Sequence, residues 1–157
     1  LERLNRVWHR LDPWPDAVPG LARLRARRLV TTLSNGHLSL LSTMAKSAGL
    51  PWDCLLSAEM VGRYKPDPEV YRFAARILDR APEQVAMVAA HPPDLHAARA
   101  VGLRTIFVER PLEYGSGRPP LFAVTPGEFD LHARDLEALA AGLKGRDDRA
   151  PAGDPDQ

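Results

Sequence analysis

Three short stretches hold the side chains best suited to chemistry: Ser34-Asn35, Lys65, and the pair His91 and Asp94. A serine hydroxyl and an asparagine amide can donate hydrogen bonds to an anion, and a lysine ammonium keeps a neighbouring carboxylate ionised. Aspartate and histidine side chains accept or relay protons. Together the set suits the binding of an anion at the strand ends. Each residue also has a plainer reading. Asn35-Gly36 can serve a tight backbone bend, and Lys65 can lie solvated in a turn. Asp94 can cap a helix starting at Leu95, and His91, beside Pro92 and Pro93, can stiffen a loop. The two readings differ in whether the three stretches meet.

The expected elements bring them together. Leu29–Leu33, Cys54–Ser57, Val85–Ala89 and Thr105–Val108 are short apolar runs that read as buried strands. Between them, Leu38, Leu41, Met44, Ala45 and Ala48 recur at helical spacing and are closed by Gly49. Asp67 and Pro68 form an N-cap and a first helical position for a helix burying Val70, Phe73, Ala74, Ile77 and Leu78. A shorter helix runs from Leu95 to Val101. Alternating strands and helices predict an α/β fold with a doubly wound parallel sheet, which binds ligands at the carboxyl ends of its strands. The helix after Gly36 would offer an anion its free N–H groups there.

The flanks are simpler. Leu4, Val7, Trp8 and Leu11 predict an amphipathic helix over Leu1–Leu11, ended by Asp12-Pro13-Trp14-Pro15, and Ala17–Ala26 predicts a second. Beyond Pro111 the chain turns to Gly, Pro and Ser before a terminal helix over Phe129–Leu143 and a polar, disordered tail over Lys144–Gln157. The 21 basic and 20 acidic residues nearly cancel, so no global field draws nucleic acid or an anionic membrane. Arg23, Arg25, Arg27 and Arg28 read as the wet face of a helix. Cys54 is the only cysteine, which excludes an internal disulfide and fits a reducing cytoplasm. No apolar run approaches the ~20 residues that a membrane span needs, and no signal-peptide pattern heads the chain.

With these residues in view, LVTTLSNG, YKPDPEVY and VAAHPPDLHAARAVGLRTIFVERP resemble the haloacid dehalogenase superfamily, most closely the type II (S)-2-haloacid dehalogenases. The likeness runs from about Trp14 to about Arg110. It implies that Ser34 and Asn35 hold the substrate carboxylate and that Tyr71 lies near the site, although Tyr71 can equally be a half-buried helix aromatic. It implies that Lys65 keeps a nucleophilic aspartate ionised, and that Asp94 positions Lys65 and the hydrolytic water. The implied reaction displaces halide from a small 2-haloacid by a carboxylate, giving an ester that water cleaves to a 2-hydroxyacid. Superfamily phosphatases carry Gly-Asp where this chain has Ala89-Ala90, so a carboxylate ligand for Mg²⁺ is lost and neither metal nor cofactor is expected. His91 stands where many type II enzymes have asparagine.

Nothing before Trp14 resembles an apolar strand ending in the nucleophilic aspartate. The expected organisation is therefore a remnant of a helical cap over 1–13, a core over 14–143 that lacks its first strand and most of its cap, and a tail over 144–157. Such a chain is expected to be inactive alone and to carry an open slot with unpaired sheet edges. Those edges leave room for other readings: a non-catalytic binding protein, or association as a homodimer. A phosphatase of the same superfamily is the remaining alternative.

Overall fold

The computed structural model describes residues 7–119 and 121–147, with side chains through Leu143. The first strand, β1 (Thr31–Ser34), pairs in parallel with β2 (Cys54–Ser57), and Ser34 lies opposite Ser57. Their threonines reinforce the ladder: Thr31 Oγ1 donates to Cys54 O, and Thr32 Oγ1 both donates to Leu56 O and accepts from Leu56 N. Helix α1 (Ala17–Arg25) precedes β1, and α2 (Leu38–Ala48) connects β1 to β2, ending at Gly49 with φ +64°. Asp67 caps α3 (Pro68–Ile77) by accepting from Glu69 N at 2.9 Å, as the Asp-Pro pair predicts.

The second half alternates β3 (Ala86–Ala89), α4 (Pro92–Ala100), β4 (Arg104–Val108), β5 (Leu131–Ala133) and α5 (Leu136–Asp147). β4 lies between β3 and β5, and both pairings are parallel. Alternate side chains of β4 face opposite layers. Phe107 packs with Leu95 of α4 and with Phe129, whereas Ile106 and Val108 pack with Leu139 of α5 and with Leu24 of α1. Helices on both faces make this the doubly wound parallel architecture that the sequence predicts.

The strands form two pieces rather than one sheet. Among the described residues β1 pairs only with β2, and β3 pairs only with β4 on that side. Leu33 of β1 and Met87 of β3 nevertheless pack on one cluster of Tyr71, Ala98 and Leu103, so the two pieces stand side by side. Val88, in the middle of β3, is 38% exposed. β3 is an edge strand of its sheet, and its middle residue is partly open to solvent. Among the described residues the slot between β1 and β3 is bounded by one edge of each that has no strand partner.

The structure departs from the sequence reading at both flanks. The terminal helix begins at Leu136, not Phe129, because 131–133 add to the sheet as β5 and Asp135 caps the helix by accepting from Ala138 N at 2.6 Å. That helix runs to Asp147, into the stretch expected to be a tail; residues 148–157 lie outside the described residues. Helix α4 starts at Pro92 rather than Leu95, with His91 as its N-cap, because two prolines suit a first turn whose N–H groups have no intrahelical acceptor. Trp8–Arg10 forms one 3-10 turn, and residues 1–6 of the expected first helix lie outside the described residues.

One polar knot closes the core. Asp16, just ahead of α1, accepts from Arg110 Nη2 at 2.9 Å and from Leu136 N at 2.8 Å. Partial burial works against its charge, but the Leu136 N–H and the Arg110 guanidinium outweigh this and hold the carboxyl below its ordinary range. Arg110 also stacks 5.1 Å above the Trp14 ring. Close by, a Cβ at Gly20 would lie 2.5 Å from that of Leu136, so α1 and α5 touch only because residue 20 has no side chain.

Candidate active site

The turn after β1 is held by serines. Ser34 Oγ accepts from Gly36 N at 3.0 Å. Ser57, fully buried at the end of β2, donates to Gly36 O at 2.7 Å and accepts from Glu59 N at 3.1 Å. Glu59 in turn accepts from Leu38 N at 2.9 Å. This N–H bond holds the Glu59 carboxyl below its usual range, helped by His37 Nδ1 at 3.4 Å. One of the helix N–H groups expected to favour a bound anion is thus spent on a carboxylate from the chain itself.

Asn35 reaches across the fold. Its Oδ1 accepts from Lys65 N at 2.7 Å and its Nδ2 donates to Lys65 O at 3.2 Å, a two-point clamp on the lysine backbone. The Lys65 ammonium then donates to Asp94 Oδ2 at 2.6 Å, and Tyr71 OH donates to Asp94 Oδ1 at 2.6 Å. The Lys65 and Asp94 side chains are only 15% and 17% exposed, so Lys65 is not a solvated turn residue. Among the described residues the Asp94 side chain caps no backbone N–H. It sits in the first turn of α4, where the helix dipole favours its charge, and gives both oxygens to side chains. Tyr71 is fully buried, and burial reinforced by the Asp94 carboxylate pushes its phenol far above the ordinary range, which keeps it a donor.

Asn35 follows β1 and Asp94 follows β3, so Lys65, bonded to both, spans the carboxyl end of the slot. Asn35, Lys65, Tyr71 and Asp94 form one hydrogen-bonded chain with Ser34 on the adjoining turn. His91 is set differently: its Nε2 lies 2.9 and 3.0 Å from the two oxygens of Glu113, and its ring meets Phe122 at 5.7 Å. Among the described residues the His91 side chain has no hydrogen bond to Lys65 or Asp94; the two segments meet only through the backbone, where Asp94 N donates to His91 O at 3.1 Å. The sequence reading missed Ser57, Glu59 and Glu113. Only Ser57 left a signal, as a second strand ending in serine. Among the described residues no three His, Cys, Asp or Glu side chains group as metal ligands.

The class of protein that this α/β core belongs to follows from comparison with known proteins. A family profile described as haloacid dehalogenase-like hydrolase matches residues 1–102. This chain belongs to that family. It is 36% identical over 118 residues to (S)-2-haloacid dehalogenase 1 of Pseudomonas sp. (strain CBS-3), covering 71% of this chain and 52% of that protein. It is 36% identical over 142 residues to the phosphoserine phosphatase of Thermus thermophilus, covering 88% of this chain and 54% of that protein. The crystal structure of the L-2-haloacid dehalogenase PA0810 superposes with a TM-score of 0.86 at 48% identity, covering 92% of this chain and 61% of that one. The chain spans about half the length of the curated relatives it matches.

Proposed function

We propose that this chain is the catalytic core of a metal-independent hydrolase that converts small (S)-2-haloacids to 2-hydroxyacids. The observation that carries the reading is the Asn35-Lys65-Asp94-Tyr71 chain across the carboxyl end of the slot. In this reading a parallel strand fills the slot and ends in a nucleophilic aspartate beside Lys65. The ammonium keeps that carboxylate ionised, Asp94 and Tyr71 fix the ammonium, and Ser34 and Asn35 receive the substrate carboxylate. The aspartate displaces halide to form an ester, and water cleaves the ester. Without that strand the chain is inactive by itself. Dehalogenase relatives support the substrate class, and a cytoplasmic location suits the lone Cys54.

The Thermus relative gives a phosphatase reading some support. Against it, Ala89-Ala90 supplies no carboxylate, and Asp94 has both oxygens committed to Lys65 and Tyr71, leaving little for a hard cation. The unpaired edges of β1 and β3 support a binding protein or a homodimer instead, if no strand fills the slot. The test is chloride release from (S)-2-chloropropionate. The full-length protein carrying this chain should release chloride without added metal, and this chain alone should release none. Mg²⁺-dependent phosphate release from phosphoserine, without chloride release, would overturn the proposal in favour of the phosphatase.

A further inference from the structure

We propose that Glu113 is a positioning residue for His91, and that His91 takes the proton from the water that cleaves the ester; this rests on the dehalogenase reading above. An ionised carboxylate only accepts, so a neutral His91 facing both Glu113 oxygens carries its hydrogen on Nε2. Nδ1 then holds a lone pair, the form a general base needs.

Both partners are held from behind. Glu113 N donates to Arg110 O at 3.1 Å and Gly115 N to Leu112 O at 2.9 Å, with Gly115 at φ +93°, so Glu113 rides on a built turn. That turn starts at Arg110, which Asp16 and Trp14 fix. His91 is the extended N-cap of α4, followed by two prolines, and its ring meets that of Phe122 at 5.7 Å with a tilt of 60°. A cavity of about 270 Å³ opens on the Glu113 side, over the end of β4; Ala90, Phe107, Glu113, Phe122 and His132 line it and His91 does not. His96 and His132 also meet glutamates, but neither stands at the exit of a strand bordering the slot. His37 does, yet its Glu59 is already bonded to Leu38 N.

In the step itself, Nδ1 removes one proton as the water oxygen bonds to the ester carbonyl carbon. The bond from that carbon to the substrate oxygen then breaks, and the departing alkoxide takes the proton from His91. The 2-hydroxyacid leaves, the imidazole is neutral again, and the regenerated carboxylic acid loses its proton to solvent.

The experiment is rapid-quench turnover of (S)-2-chloropropionate by the full-length protein. Glu113→Gln should still release chloride in the first turnover but form hydroxyacid about tenfold more slowly, and His91→Ala about 10²-fold more slowly, with the ester visible by intact mass. Glu113→Asp, which keeps the charge, should recover part of the rate. Parental hydroxyacid formation in both Glu113→Gln and His91→Ala overturns the proposal, as does equal slowing of chloride release. A parent protein that releases no chloride defeats the dehalogenase reading itself. Ring ¹⁵N shifts of His91 in this chain test the pairing apart from activity: one Nε2–H tautomer is expected, becoming mixed in Glu113→Ala. Mixed tautomers in the parent chain sink the pairing.

Discussion

Two cation-carboxylate pairs in this fold are closely matched. Lys65–Asp94 spans 2.6 Å with side chains 15% and 17% exposed, and Arg110–Asp16 spans 2.9 Å with both at 14%. Length and burial do not distinguish them; what each group bonds does. Asp16 binds the Leu136 N–H with the same oxygen that meets Arg110, and Arg110 lies on Trp14 and donates Nη1 to Glu109 O. That pair is absorbed in joining α1, α5 and the end of β4. Asp94 also accepts two bonds, but from side chains alone, and the Lys65 ammonium has Asp94 as its only hydrogen-bond acceptor among the described residues. The difference is one of partners: Asp16 and Arg110 bond backbone groups as well as each other, whereas the Lys65 ammonium and Asp94 bond side chains alone.

Substitutions on the two sides should separate these roles. The largest effect is expected from Lys65→Met in the full-length protein: turnover falls about 10²–10³-fold, because a fixed charge beside the reacting carboxylate is lost. Circular dichroism should still report a folded protein, and parental turnover would return Lys65 to the scaffold. Next comes Asp16→Ala, which removes a helix contact and strands a mostly buried guanidinium. It should lower unfolding free energy by about 2–3 kcal/mol in urea titrations. The same carboxylate sets a pH signature. Its folded-state pKa is depressed, so its stabilisation is present above the unfolded carboxylate range and is lost as pH falls through the folded value. The acid limb of stability against pH should therefore be shallower in Asp16→Ala than in the parent. Tyr71→Phe is the smallest change. It leaves Asp94 one donor short at a cost of about 1–2 kcal/mol, read by thermal unfolding; a larger loss would mean that Asp94 depends on the phenol more than on Lys65.

How much of this could be read from the sequence follows the range of the interactions. The strand exits, the Asp67-Pro68 start of α3 and the residues of the lysine-aspartate chain were legible, because each sits in a local pattern of strand end, cap or helical stripe. The contacts among them were expected only through family likeness. β5 was hidden because three residues are too short for alternation to register, and Leu131 and Ala133 fit a helical stripe equally well. Asp94 looked like a cap because two prolines disguise the true start of α4. Asp16 looked like a turn residue, since its partners lie 94 and 120 positions away. Glu113, on a Gly- and Pro-rich stretch, had no local pattern to betray it. The split of the strands into two sheets had no local pattern, because pairing between distant strands leaves none.

The contact between Asp16 and Leu136 also bears on how the chain is made. With 120 positions between its ends, it cannot form during synthesis until most of the domain has left the ribosome. Until then the face of α1 that α5 covers is exposed to water. Closure of the core is therefore a late, long-range event with a large entropic cost of bringing the ends together. A polypeptide cut short before Leu136 would keep α1, β1 and β2 but lose the helix that covers α1, and such nascent or truncated chains are the ones a chaperone would meet.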